Sequence, residues 1–396
     1  MNQRELFLRH VAQTSETPLL GIDMNIVKAE GCVLTDVNGK QYIDLISGIS
    51  VSTIGHCHPK VVEAINEQSK KFMHLMVYGE FNQSPQVEYA KLLSSLLPEN
   101  LNTIYFTTGG SEAVEGALKL AKRVSGRFEI ISFKKAYHGS THGALSVMGD
   151  EFFKNSFRPL VPGIKILEYN NLKELENISS STAAVIIEPV QGEAGIRAAD
   201  PVFLNQLRKK CDEHNVLLIF DEIQTGFGRT GSLFAFEKYK VIPDILLMAK
   251  AMGGGLPIGA FVSSQKLMGS FTTNPVLGHI NTFGGNAVCV KAAHANLKVI
   301  LNDKLVKRAS IIEKIIKENL VHPLIKEVRI NGALGAIDFK DEELAMTAMK
   351  SCIENGIITD WFLFCPTALR IAPPLIISED QLLKAINKIK AVLDSL

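Results

Sequence analysis

Through the middle of the chain, short apolar runs alternate with amphipathic segments, and this alternation leaves few architectures open. Ile104–Thr108, Glu129–Phe133, Ala183–Glu188, Val216–Phe220 and Ile245–Ala249 have the length of strands, and several are rich in Val and Ile, as expected for strands covered on both faces. Ser111 to Ser125 places apolar residues at 113, 114, 117, 118 and 121, one face of a helix, with Gly126 at the expected stop. Strand, turn, helix, strand describes an α/β domain with a mainly parallel sheet, whose ligands sit outside the carboxyl ends of the strands.

Beyond about Asn286 the pattern changes. A long helical stretch is followed by strand-like pieces near Ile330–Phe339 and at Leu369–Ala372, and then by a final helix. In that helix Ser378 and Gln381 form a capping box, while Leu382, Leu383, Ile386, Ile389, Val392, Leu393 and Leu396 make an apolar stripe. No repeat, low-complexity tract or Ser/Gly linker divides the chain, so a second, small α+β unit has to be assembled from the chain ends. A length of 396 residues with 46% apolar content fits about two domains. The expected division is an N-terminal part of the small domain over 1–50, a large domain over 51–295 and the C-terminal small domain over 296–396.

Charge and composition exclude several classes. Lys and Arg total 42 against 41 Asp and Glu, so no broad field draws the chain to nucleic acid or to an anionic membrane, and neither partner is expected. Arg4, Glu5 and Arg9 interrupt the first ten residues, which lack the apolar stretch of a secretory signal, and no apolar run approaches the ~20 residues that span a bilayer. Six scattered cysteines contain no C-x-x-C pair, which suits a reducing compartment, and the chain is read as cytoplasmic. His56, His58, His138 and His142 invite a metal reading, but Gly139 and Gly143 weaken a helix there and no carboxylate completes a zinc-type motif; no metal is expected.

Two segments carry the chemistry. In the first, the run Val216–Phe220 leads directly into Asp221-Glu222 and a Gly-rich loop ending at Gly231, so that a carboxylate stands at a strand's carboxyl end, where ligands bind. In the second, Lys250 ends the apolar run from Ile245 and three glycines follow soon after. A lysine desolvated in such a place has a depressed pKa, and its amine becomes nucleophilic toward an aldehyde. Alone, Asp221 reads equally as a cap and Lys250 as a snorkelling surface residue; the pairing is what points to a site.

Together these segments resemble the class III, or ornithine-type, aminotransferases of the fold type I pyridoxal-phosphate enzymes. The resemblance runs through Gly55-His-Cys-His-Pro59, Tyr137-His-Gly139, Glu188-Pro-Val-Gln-Gly-Glu-Ala-Gly195, Asp221-Glu-Ile-Gln-Thr-Gly226, Ala249-Lys-Ala-Met-Gly-Gly-Gly255, Asn281-Thr-Phe-Gly-Gly285 and Leu369-Arg-Ile-Ala-Pro-Pro374. It implies a large domain built on a mainly parallel seven-stranded sheet, pyridoxal 5'-phosphate as cofactor, and a homodimer with its active sites at the subunit interface.

By that resemblance Lys250 carries the cofactor as a Schiff base and then moves a proton between the substrate carbon and the cofactor, while Asp221 keeps the pyridine nitrogen protonated. Gln224 is implied to contact the phenolic oxygen and Tyr137 to stack on the ring, with His138 and Glu188 also beside the cofactor. Gly110 and Ser111, between a strand and a helix, are the candidate phosphate donors, because unpaired backbone N–H groups there favour an anion. Thr282 is implied to reach the phosphate of the neighbouring subunit.

Arg370 matches the family's carboxylate-binding arginine, and Glu193 matches the glutamate that pairs with it when an amino donor enters by its distal amine. The implied substrates are an acetylornithine- or ornithine-like amino donor and a 2-oxo acid, 2-oxoglutarate first. One position departs from the pattern. Acetylornithine, ornithine and 4-aminobutyrate aminotransferases commonly carry Arg after the His-Gly pair, where this chain has Ser140, so Arg158 or a lysine becomes the candidate second-carboxylate contact.

Overall fold

The computed structural model describes residues 3–12 and 24–396; residues 1, 2 and 13–23 of the expected N-terminal segment lie outside them. The central sheet has seven strands: β1 Thr103–Thr107, β2 Glu129–Phe133, β3 Ile164–Leu167, β4 Thr182–Ile187, β5 Leu217–Asp221, β6 Ile245–Met248 and β7 Gly259–Ser263, in the order β1-β7-β6-β5-β4-β2-β3. The pairs β6/β5, β5/β4, β4/β2 and β2/β3 are parallel, whereas β7 runs antiparallel to both β6 and β1. Each apolar run read from the sequence is a strand of this sheet, within a residue of the expected ends. Every residue of β4, β6 and β7 is buried, which is why those segments show no polar alternation.

Helix α1 (Gly110–Ser125) follows β1 and ends at Gly126, whose φ of 68° lets it close the last turn in the left-handed region. Its apolar face packs Ala113, Val114, Ala117 and Ala121 against Ile130, Ile186, Ile219, Leu247 and Phe261 of the sheet. Gly116 makes this approach possible, since a Cβ there would fall 2.2 Å from the Phe261 ring. The stretch after Asn286 is two helices, Ala287–Asn302 and Leu305–Asn319, separated where Lys304 takes φ 53°.

The ends of the chain meet. Ile26–Glu30, Val33–Asp36 and Gln41–Asp44 form an antiparallel set, and Ile357–Ile358 adds to it in parallel beside Ile43 and Asp44. A second four-stranded sheet is built from Glu327–Asn331, Leu334–Asp338, Trp361–Phe362 and Cys365–Ile371. The strand-like piece near Ile330–Phe339 is thus part of a hairpin, turned at Gly332. The last helix, Glu379–Asp394, carries the Ser378/Gln381 capping box. This is the α/β architecture of fold type I, with a small α+β part drawn from both ends of the chain. Among the described residues, no helix is long and apolar enough to cross a membrane.

Candidate active site

Parallel strands place their carboxyl ends on one edge of the sheet, and that edge opens on a cavity of about 460 Å³. The turn after β1 supplies Gly109, Gly110 and Ser111, the segment after β2 supplies Tyr137 and His138, and the residues at the ends of β4, β5 and β6 supply Glu188, Asp221 and Lys250. Because β7 is reversed, its entry through Pro257 and Ile258 reaches the same edge.

Asp221 is the last residue of β5. Its Oδ1 accepts from the Ile223 amide at 3.0 Å and its Oδ2 lies 2.7 Å from His138 Nδ1, both side chains being buried. His138 Nε2 is buried without a partner. Glu188 accepts from the Tyr137 and Gly192 amides, each at 2.9 Å. Burial, with Asp221 adding to it, pushes the Glu188 carboxyl up to about 7 against the opposing effect of those two N–H groups and His138.

Lys250 stands just past β6 with φ 44°, a left-handed value that costs an L-residue energy and is held by its surroundings. Burial lowers its amine below the ordinary lysine value and Arg370 adds to this, while Glu193 and Asp221 oppose it. The Gln224 amide, with its oxygen toward the two cations, accepts from Lys250 Nζ at 3.3 Å and from an Arg370 terminal nitrogen at 3.2 Å. Gly192 makes room for that amide, for a Cβ there would lie 1.7 Å from the terminal atom of the Gln224 amide that faces away from the two cations.

Arg370 is buried, with its guanidinium 4.4 Å over the Phe362 ring. One terminal nitrogen lies 3.0 Å from both oxygens of Glu193, and Nε donates to Asp360 Oδ1 at 2.8 Å. Burial alone would lower the guanidinium, but Glu193 and Asp360 together raise it. Asp360 is a site residue that sequence reasoning missed. It stands in no recognisable motif, ten positions before Arg370, and only the folding of Trp361–Phe362 against Cys365–Ile371 brings it back.

Arg370 stands behind Glu193 and Gln224 rather than on the cavity wall, and two further predicted residues lie away from the site. Thr282 is exposed and outside this cavity, with its Oγ1 3.3 Å from the Tyr78 hydroxyl. Arg158 does not stand in for an arginine at position 140: it pairs with Glu151 at the surface, and Ser140 Oγ instead faces the Tyr137 hydroxyl at 3.3 Å. Of the other histidines named above, His56 pairs with Asp44 at 2.7 Å and His142 with the Pro159 carbonyl at 3.2 Å, while His58 Nδ1 is buried without a partner.

These residues fit pyridoxal 5'-phosphate. Helix α1 has Gly109 at its N-cap, which offers no side chain to cap it, leaving first-turn N–H groups for an anion beside Ser111. A Cβ at Gly139, where φ is 125°, would fall 2.2 Å from Ser111 Oγ, so glycine keeps that hydroxyl in place. An amine with lowered proton affinity and a buried carboxylate line the same cavity, as an aldehyde and a pyridine nitrogen require.

Comparison with known proteins agrees. The family model described as aminotransferase class-III matches residues 13–393. The acetylornithine aminotransferase of Methanopyrus kandleri is 38% identical over 395 residues, covering 98% of each chain, and that of Methanocaldococcus jannaschii is 40% identical over 383 residues, covering 93% of this chain and 92% of the relative. Among solved structures, an (S)-enantioselective omega-transaminase from Thermomicrobium roseum superposes with a TM-score of 0.92 at 28% identity, covering 100% of this chain and 99% of the other. The ornithine aminotransferase of Toxoplasma gondii superposes with a TM-score of 0.90 at 28% identity, covering 99% and 94%. The chain belongs to the class III aminotransferases. It is a transaminase, and its cofactor is pyridoxal 5'-phosphate.

Proposed function

We propose that this transaminase moves the terminal amino group of an amino acid, with acetylornithine or ornithine as leading donors, to 2-oxoglutarate in two alternating half-reactions. The observation that carries this reading is the Glu193–Arg370 pair beside Lys250. While the pair is closed, the cavity presents no free cation besides Lys250 and admits a neutral or cationic distal amine. When Glu193 withdraws, the guanidinium is free to take the carboxylate of a 2-oxo acid. The names of the two relatives, both acetylornithine aminotransferases, support acetylornithine as the donor.

The cofactor, when bound, supplies an electron sink for the bond broken at the substrate carbon. Lys250 would hold its aldehyde and then, freed as an amine, take the proton from that carbon and return it. Asp221, oriented by His138, would hold a proton on the pyridine nitrogen. Gln224 would bond the phenolic oxygen, Tyr137 would cover one ring face, and Gly110 and Ser111 would bind phosphate, with Glu188 fixing the backbone of Tyr137.

Thr282 would serve the phosphate of a second copy, so the active unit is a homodimer. Exposed Phe81, Val87, Val276, Leu277 and Ile280 line one cleft near it, an apolar surface of the kind that pairs with another chain. Light scattering of the holoenzyme should give a dimer mass; a monomer would refute the shared site. The division near residues 50 and 295, and a cytoplasmic location consistent with the scattered free cysteines, belong to the same reading.

A second reading, a donor without another carboxylate such as putrescine, is favoured by Ser140 and by the engagement of Arg158 with Glu151. One panel decides: holoenzyme mixed with acetylornithine, ornithine, 4-aminobutyrate, lysine, β-alanine and putrescine, following cofactor absorbance in single turnover. A fast response to acetylornithine or ornithine supports the first reading and to putrescine alone the second; no response to any of the six rejects both.

A further inference from the structure

We propose that Asp360 is a positioning residue that keeps the Arg370 guanidinium aimed at the cavity while Glu193 is exchanged for an incoming carboxylate. The inference rests on reading Arg370 as the carboxylate grip.

The guanidinium has five N–H donors in a rigid fork, and its partners divide into two kinds. Glu193 and Gln224 hold the two terminal nitrogens, and both line the cavity, where a substrate can displace them. Asp360 holds Nε at 2.8 Å and, like Arg370 itself, lies behind the cavity wall that Glu193 and Gln224 form. A ligand arriving from the cavity side therefore meets the terminal edge of the fork and leaves the Nε bond intact.

The Asp360 bond is itself anchored. The Arg370 amide donates to the Asp360 carbonyl at 2.8 Å, and Thr359 Oγ1 donates to the Arg370 carbonyl at 2.7 Å, so the two residues are joined through main chain and side chain at once. Phe362 fixes the plane of the guanidinium from one face. Without Asp360, loss of Glu193 would leave a buried cation with no carboxylate beside it, tethered by the ring, by the Gln224 amide at 3.2 Å and by a long 3.4 Å contact to the Trp361 carbonyl. With it, the fork keeps its direction and its charge stays compensated throughout the exchange.

A group with this role affects the half-reaction that uses the carboxylate grip and spares one that does not. The test uses holoenzyme of Asp360→Ala, Asp360→Asn and, as control, Arg370→Gln, with steady-state kinetics for 2-oxoglutarate and single-turnover rates for a carboxylate-free amine. Asp360→Ala should raise KM for the oxo acid about tenfold or more, the size of a charge-assisted bond lost, with kcat and the amine rate little changed. Asp360→Asn keeps an acceptor for Nε and should recover most of the loss. If Asp360→Ala does not fold, Asp360→Ser, too short to reach Nε, carries the same comparison. A folded Ala or Ser variant with the parent KM would overturn the proposal, as would equal losses in both half-reactions. If Arg370→Gln also left KM unchanged, the carboxylate-grip reading itself would have failed.

Discussion

Asp221 Oδ2 lies 2.7 Å from His138 Nδ1, and neither side chain is open to solvent. The strand end fixes the carboxylate and the imidazole fixes its direction, an arrangement that would hold it facing a pyridine nitrogen. Asp221→Asn keeps the shape and removes the charge. It should lower turnover at least about a hundredfold, the scale of losing one preorganised electrostatic partner, with the far-ultraviolet dichroism unchanged. Near-normal turnover would remove Asp221 from the chemistry.

Lys250 should titrate below the ordinary lysine value of 10.5, because burial and Arg370 disfavour its charged form. The rate at which apoenzyme captures cofactor, followed against pH, reads this directly. Arg370→Gln should move the midpoint up and Glu193→Gln should move it down, since the first removes a lowering charge and the second a raising one. Unfolding restores the proton, so apo-protein stability should rise with pH between the lowered value and 10.5. A midpoint at 10.5 in all three proteins would contradict the placement of the amine.

Gly192→Ala tests the space around Gln224. The new methyl would fall 1.7 Å from the far terminal atom of the amide, so the amide must leave its position between Lys250 and Arg370. A shifted absorbance maximum of the bound cofactor and a slower first half-reaction are expected; an unaltered spectrum would show that the amide does not touch the cofactor.

Arg229 is fully buried and is held by the carbonyls of Ala333, Ala372 and Pro373, with no carboxylate bonded to it. It ties the loop after Asp221 to the segment after Arg370. Burial pulls its guanidinium down to about 9. Arg229→Met should lower the unfolding free energy by about 3 kcal/mol or more, because the buried Ala333 and Pro373 carbonyls lose their donor and the Ala372 carbonyl keeps only the Ser47 hydroxyl. Denaturant unfolding of the holoenzyme measures this, and a change under about 1 kcal/mol would show that the carbonyls find other donors.

The fold was legible where burial is two-sided. β4, β5 and β6 announce themselves as apolar runs because both faces are covered, and α1 by its one-sided stripe and the glycine that stops it. The break between the helices at Lys304 was not legible, since Asn302-Asp303-Lys304 contains no Gly or Pro and the reversal comes from a left-handed lysine. In the site, residues within a motif were found from sequence. Asp360, joined to Arg370 by tertiary folding, and the surface pairing of Arg158 with Glu151 required coordinates, because charge alone does not say where a side chain ends.

The central claim is that Lys250 is the amine that carries the cofactor. Borohydride reduction of the holoenzyme, digestion and peptide mapping should place a single pyridoxyl label on the peptide containing Lys250, and Lys250→Ala should take up none. Label on another lysine, or undiminished labelling of Lys250→Ala, would contradict the account.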